Sequence, residues 1–378
     1  MANMSVDFLG MHFRNPVLPA AGPNVRDGES LRRAAEGGAG ALLAKTVSVQ
    51  AAPVPRTHMM KFGQQGMLNT ELWTELTLEQ WLDEEYAVGI AAAREHGIPF
   101  IASMGYTAEE LREIGPKVAA IDGIDAVEVT IHYTGGAEKV EAGVIALREV
   151  IDLPIIAKLS PHYGDLGELA ARLEPHVDAF TCINSFGPTL AIDIETAKPI
   201  LGSQFGYGWI SGEPLKPLAL RCVFEVARRV SKPVMGVGGI STGRDLIEHF
   251  MAGASAVGIC TAVMYEGHGV YGKIVREASE WLDEHGYSSI RDVQGLFLKN
   301  IGEGQEVVIE TRMQPRVVED LCIRCTACER VCMFDAITAP PGEIARVHEE
   351  KCFQCGLCLT VCPTGALVWP QGEGLGGH

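Results

Sequence analysis

Between residues 17 and 262 the chain alternates two kinds of hydrophobic pattern. Short, nearly continuous apolar runs rich in β-branched residues are separated by longer stretches whose apolar positions recur every three to four residues. The first pattern marks strands buried on both faces, the second amphipathic helices. The expected strands are VLPAA (17–21), ALLAKT (41–46), PFIASM (99–104), DAVEVTI (125–131), PIIAKL (154–159), AFTCI (179–183), PVMGVG (233–238) and SAVGIC (255–260). Segments such as EEYAVGIAAAREHG and GELAARLEPH supply the helices between them. Eight strands, each followed by a helix, describe a (β/α)8 TIM barrel, whose active site lies on the loops after the strand C-termini. The leading VDFLGMHFRNPV reads as a hairpin at the barrel bottom. SFGPTLAIDIETAKPILGSQFGYGWISG is a long excursion after the sixth strand and is expected to cover the site.

Polar residues at the strand ends narrow the chemistry. Lys45 ends the second strand, Lys158 the fifth, and Asn184 and Ser185 follow the sixth. Each lysine is a candidate for charge stabilisation or, alternatively, half of a buried barrel ion pair. GVGGI (236–240) ends the seventh strand and opens a helix at STGRDLIEHF; CTA (260–262) ends the eighth. Glycine-opened backbone before a helix N-terminus, joined by the eighth strand, makes a phosphate cradle. A dinucleotide fingerprint is the competing reading, but GVGG comes late and no second βαβ half follows it. A purely structural glycine turn is the third possibility.

Cysteine changes the picture at the C-terminal end. Eight of the eleven cysteines fall in CIRCTACERVC and CFQCGLCLTVC, each reading C-x2-C-x2-C-x3-C. In the two-cluster ferredoxin pattern the first three cysteines of a run hold one cubane and the fourth reaches across to the other. Cluster one then takes Cys322, Cys325, Cys328 and Cys362; cluster two takes Cys352, Cys355, Cys358 and Cys332. Zinc modules are the alternative, but they usually separate two C-x2-C pairs by a longer loop. The expectation is therefore a barrel over residues 1–305 and a C-terminal two-[4Fe-4S], ferredoxin-like α+β domain over 306–378. Met333 stands where a proline is expected after Cys332, while Pro363 follows the second run.

Composition sets the outer limits. A 47% hydrophobic chain with 43 glycines is a turn-rich globular enzyme. The net charge of −17 argues against a phosphate-tracking nucleic-acid surface and is otherwise read as a solvated acidic exterior. No uncharged apolar run approaches the roughly 18 residues of a membrane span. MANMSVDFLG does not read as a secretory signal, and with the clustered cysteines this points to the cytoplasm.

Taken in order, NPVLPAAGP (15–23), AKTVS (44–48), LNTEL (68–72), AKLSP (157–161), YGWISGEPLKPLALR (207–221), GVGGI and GASAVGICTA (253–262) resemble the FMN-dependent dihydroorotate and dihydropyrimidine dehydrogenases. With its cysteine-rich tail the chain looks most like the catalytic subunit of bacterial NAD-dependent dihydropyrimidine dehydrogenase. The resemblance implies FMN, with the backbone of Ala20, Ala21 and Gly22 against the flavin and Lys45, Thr46 and Asn69 along its edge. It further implies Lys158 near the N1/O2 side, Asn184 and Ser185 at ring or substrate, and Gly212, Gly238, Gly239, Cys260 and Thr261 at the ribityl phosphate. After the fourth strand the family reads Asn-x-Ser-Cys-Pro or Asn-x-Ser-Ser-Pro. Here VTIHYTGG puts Thr130 at the asparagine and Tyr133 at the Cys/Ser position, with His132 beside it. His162, in SPH, replaces a usual asparagine on the same rim. Tyr133, assisted by His132 or His162, becomes the expected proton donor; space-filling is the alternative.

Function is thus expected to be hydride transfer to or from a C=C bond of a small cyclic or conjugated polar substrate, with electrons passed singly through two clusters. The chain carries no second nucleotide-binding module, so an FAD/NAD(P)H reductase subunit or a ferredoxin is the expected partner, in a homo- or hetero-oligomer. The rival expectation is an electron-transfer subunit that keeps FMN and clusters without substrate chemistry of its own.

Overall fold

A computed structural model describes residues 1–131, 136–301 and 314–370. The chain forms two compact units, Met1–Gly302 and Glu303–His378. The boundary expected at 305 falls outside the described residues.

The first unit is the barrel. Its strands are β1 (Val17–Pro19), β2 (Leu42–Val47), β3 (Phe100–Met104), β4 (Ala126–Thr130), β5 (Ile155–Leu159), β6 (Ala179–Cys182), β7 (Val234–Val237) and β8 (Ala256–Ile259). They form one all-parallel sheet in the order β1-β8-β7-β6-β5-β4-β3-β2. Across the remaining seam the Gly40 N–H donates to the Val17 carbonyl (2.7 Å). Both faces of these strands are covered, which is why their sequences run apolar instead of alternating. The enclosing helices include α1 (Gly28–Glu36), α2 (Tyr86–His96), α3 (Ala108–Ala119), α4 (Gly136–Arg148), α5 (Leu166–Leu173), α6 (Lys216–Ala227), α7 (Gly243–Met251) and α8 (Val270–Glu284). Asp27, Thr107, Asp165 and Thr242 cap α1, α3, α5 and α7 with side-chain oxygens, fixing where each loop turns into helix.

The N-terminal hairpin appears as Val6–Phe8 paired with Met11–Phe13. The excursion after β6 supplies four strands: Phe186–Leu190 pairs antiparallel with Tyr207–Gly212, and Ile192–Asp193 with Lys198–Pro199 between them. The first pair joins a hairpin from the loop after β2, Met59–Phe62 with Gly66–Asn69, to make a four-stranded sheet.

The second unit repeats one motif. Arg316–Val317 pairs with Leu367–Val368, and Ile337–Thr338 with Arg346–Val347. The short helices Ala327–Val331 and Leu357–Thr360 occupy matching places in the two cysteine runs. The duplication extends to the turns: Arg324 and Thr326 flank Cys325 with left-handed backbone, as Gln354 and Gly356 flank Cys355. Likewise Ala336 N–H donates to Cys332 Sγ (3.3 Å) and Ala366 N–H to Cys362 Sγ (3.2 Å).

Candidate flavin and iron–sulfur sites

At the C-terminal ends of the barrel strands lies an open cavity of about 1310 Å³. Ala20, Ala21 and Gly22 reach it from the end of β1, Lys45 and Thr46 from β2, and Thr130 from β4. Lys158 reaches it from β5, with Asn184 and Ser185 from the loop after β6. Asn69 and Gly212 line it from the antiparallel sheet, Gly238 and Gly239 after β7, and Cys260 and Thr261 after β8. Residues scattered over 240 positions of sequence are therefore neighbours because each follows a strand in a closed sheet.

Local structure aims these groups. Successive strand residues normally face opposite ways, yet Lys45 and Thr46 both line the cavity. The β2–β3 register shifts between Leu43 and Thr46, so regular alternation is interrupted at this point of the strand. Thr46 Oγ1 then pairs with Ser103 Oγ (2.9 Å). After β7, Gly239 has φ +77°, and a Cβ there would lie 2.4 Å from Lys216 Cβ. Gly212 (φ +78°) would bring a Cβ to 2.2 Å from the Gln65 carbonyl. Both turns require glycine. Thr261 Oγ1 donates to Ser211 Oγ (3.1 Å), joining the barrel rim to the antiparallel sheet. Burial lifts the Cys260 thiol to about 11, so it is a neutral wall of the cavity.

The two lysines differ in their partners. Lys45 Nζ donates to Glu71 Oε2 at 2.6 Å, and His58 Nε2 lies 3.4 Å from the other oxygen of the same carboxylate. Lys158 has Glu128 at 3.6 Å, beyond hydrogen-bonding distance, and no hydrogen-bond acceptor among the described residues. Glu128 is 1% exposed, and its other oxygen accepts from Thr181 Oγ1 (2.8 Å). Thr130 and Thr181 are the cross-strand neighbours of Lys158 on either side. Thr130 Oγ1 is buried with no hydrogen-bond partner among the described residues. An unspent ammonium and an orphaned hydroxyl at one apolar-floored cavity fit a planar ring with carbonyl oxygens and a ring nitrogen that gains charge on reduction.

His132 and Tyr133 lie outside the described residues. His162 is placed away from the cavity lining. Its Nδ1 is 2.7 Å from Ser160 Oγ, its Nε2 meets the Gly187 carbonyl, and its ring stacks on Phe186 (5.1 Å). It thereby ties the excursion to the end of β5. Sequence reasoning passed over Glu71 and Glu128, the lysines' partners, and Trp73 and Tyr106, whose rings meet at 5.0 Å on the rim. Glu71 sits inside the quoted LNTEL; Glu128 breaks the apolar run of DAVEVTI.

In the second unit, Cys322, Cys325, Cys328 and Cys362 line one cavity, and Cys332, Cys352, Cys355 and Cys358 line another. Each set takes three cysteines from one run and the fourth from the other. Among the described residues no group of three or more His, Cys, Asp or Glu closes on a single metal ion. Thiols spaced around a cavity suit a cubane.

Fold and sites define a barrel flavoprotein oxidoreductase with an iron–sulfur domain. The model of the dihydroorotate dehydrogenase family matches residues 3–282, and that of the 4Fe-4S dicluster domain matches 315–368. The chain is 34% identical over 306 residues to the catalytic subunit of dihydroorotate dehydrogenase B (NAD(+)) of Methanothermobacter thermautotrophicus, covering 78% of this chain and 98% of that protein. It is 34% identical over 308 residues to the protein of that name from Pyrococcus abyssi (78% and 99%). With the one from Thermoplasma volcanium the figure is 30% over 311 residues (79% and 100%). The chain belongs to the dihydroorotate dehydrogenase family. It is an FMN oxidoreductase acting on CH–CH groups, and it carries 4Fe-4S iron–sulfur clusters. Among the described residues no helix is long and apolar enough to cross a membrane.

Proposed function

We propose that this chain forms or reduces a C=C bond in a small cyclic or conjugated polar substrate, exchanging electrons singly with a partner through two [4Fe-4S] clusters. The observation that carries the reading is the cavity: every described residue expected at the flavin lines it, Thr130 Oγ1 is without a hydrogen-bond partner among the described residues, and Lys158 has an ion-pair partner at 3.6 Å but no hydrogen-bond acceptor among them. Bound FMN supplies hydride exchange with a carbon and single-electron exchange with the clusters. The backbone at Ala20–Gly22 supports the ring, and Lys45, Thr46 and Asn69 define its edge. Asn69 is held for this by donating to the Trp209 carbonyl (3.2 Å) and accepting from the Glu71 N–H (3.2 Å). Lys158 holds positive charge where the reduced ring gains negative charge. Gly212, Gly238, Gly239, Cys260 and Thr261 close on the phosphate, and Asn184 and Ser185 face the ring or substrate.

The proton that accompanies hydride transfer comes from the loop after β4, where Tyr133 takes the family's Cys/Ser position and His132 stands beside it. His162, the other expected assistant, is held by Ser160 and the Gly187 carbonyl. The enzyme works in the cytoplasm as part of an oligomer, its partner an FAD/NAD(P)H reductase subunit or a ferredoxin. The test is turnover of the anaerobically purified chain. It should be driven by a low-potential dye and not by NADH or NADPH, with reoxidation screened against enones, heterocycles and aromatic acids. Tyr133→Phe should lower substrate turnover about 10²-fold or more while dye reduction stays normal. Oxidation of NADH by the pure chain would remove the need for a partner, and full turnover in Tyr133→Phe would place the donor elsewhere.

A further inference from the structure

A second cavity adjoins the first, sharing Pro23, Lys45, Glu71, Trp73 and Met264 with it. Among the described residues, the lysines and arginines lining the two cavities are four, and each has a carboxylate partner. Lys45 is hydrogen-bonded to Glu71 at 2.6 Å, and Lys158 is paired with Glu128 at 3.6 Å. On the outer side, Arg26 meets Asp27 at 2.9 Å and Arg56 meets Glu75 at 2.5 Å. Glu213 adds another carboxylate to the inner lining. Among the described residues no lysine or arginine of the lining is therefore left without a carboxylate, and Glu213 adds a negative charge beyond these pairs.

Glu71 is central to this pairing. It lines both cavities, is 16% exposed, and bridges Lys45 on one side and His58 on the other. Its backbone N–H is anchored on Asn69 Oδ1, which fixes the carboxylate against the lysine. An incoming carboxylate would lose its hydration, find the Lys45 ammonium already taken, and face a second negative charge at the entrance. A neutral ring of the same shape meets neither penalty.

We propose that Glu71 is a specificity-determining residue: by neutralising Lys45 it makes this a site for neutral rings and turns away carboxylates such as dihydroorotate, the substrate named for the curated relatives. This rests on the flavin reading of the cavity. It goes beyond that reading by assigning the substrate's charge class and the residue that sets it.

The holoprotein is titrated anaerobically, following flavin absorbance, with two pairs of probes that differ chiefly by a carboxylate. These are uracil with orotate, and 2-cyclohexenone with 1-cyclohexene-1-carboxylate. The neutral member of at least one pair should bind at least tenfold tighter than the acid. Glu71→Gln frees Lys45, so acid binding should tighten tenfold or more while neutral binding changes little. Glu71→Asp should keep the wild-type preference. Stronger binding of the acids by wild type, or acid binding unmoved in Glu71→Gln, would overturn the proposal. So would silence from all four probes; a bleachable FMN spectrum in the same sample would then leave the flavin reading standing. If Glu71→Gln fails to retain FMN, the wild-type ratios alone decide.

Discussion

Lys158→Met separates the two things a buried lysine can do. In the folded chain its ammonium lies 3.6 Å from Glu128, both side chains being almost wholly buried. At an effective dielectric of about 20 such a pair is worth roughly 5 kcal/mol of Coulomb energy, which desolvation largely offsets. Deleting only the lysine leaves Glu128 charged, buried and served by Thr181 alone, which costs about 3–5 kcal/mol. Lys158→Met/Glu128→Gln removes both charges and should return to within about 1 kcal/mol of wild type. Urea unfolding of FMN-depleted protein reads this coupling free of the cofactor's own contribution. The flavin midpoint potential reads the other role. Losing one charge-assisted hydrogen bond to the reduced ring, about 1.5–3 kcal/mol, lowers a two-electron potential by about 30–65 mV. A lysine acting only within the barrel would leave the potential alone. A lysine acting only through net charge would let the double variant recover fully. The expectation is that stability recovers in the double variant and the potential recovers only in part. An unchanged potential in Lys158→Met at normal FMN occupancy would refute the assignment and leave the lysine an ion-pair residue.

Three further outcomes are expected. Anaerobically purified protein should contain about eight irons per chain and one FMN. Cys358→Ala should lose one cluster and keep FMN, since all the described lining of the flavin cavity belongs to the first unit; stoichiometric zinc would sink the cluster assignment. His249 lies fully buried beneath the cradle glycines, Nε2 3.3 Å from the Gly238 carbonyl, and burial lowers it from 6.5 to about 4. The unfolded chain therefore takes up this proton before the folded chain does. The stability at stake is complete above pH 6.5 and is lost as pH falls toward 4, about 3 kcal/mol in all. His249→Gln should flatten this part of the pH dependence in urea unfolding, and parallel curves for the two proteins would refute it.

The barrel could be read from the chain because buried parallel strands write a local signal. ALLAKT was expected at 41–46 and β2 runs Leu42–Val47; AFTCI was expected at 179–183 and β6 runs Ala179–Cys182. Position then did the rest, since residues near the C-terminal end of a barrel strand, or in the loop just after it, are the ones that can reach the cavity. The hairpin Met59–Phe62/Gly66–Asn69 carried no such signal. Its first strand is half exposed and without clear alternation, and it is ordered by pairing that ends on Tyr207–Gly212, some 140 residues away. Ion-pair partners were illegible for the same reason. Glu71 meets Lys45 across 26 positions, and nothing local to Glu128 announces that Lys158 will lie on the next strand. His162 was expected on the rim because it stands where the resembled family has asparagine; its contacts with Ser160 and Gly187, which tie it to the excursion, carried no local signal.

Under the proposal for Glu71, the two lysines divide the work of the site between holding a flavin and selecting a substrate. Both are strand-end lysines and both are buried beside the same cavity, so sequence position gives them equal standing. Their partners do not. Glu128 stands back from Lys158 and leaves its N–H donors for a ligand; Glu71 closes on Lys45 and consumes it. Glu128 belongs to a barrel strand whose register is fixed by pairing on both sides. Glu71 belongs to the loop after β2, which the barrel does not constrain in that way. Charge at the ring is therefore set by the part of the fold that resists change, and charge at the entrance by a part that tolerates it. On that proposal, Glu71→Gln should change which molecules approach the flavin while leaving the Lys158–Glu128 pair in place.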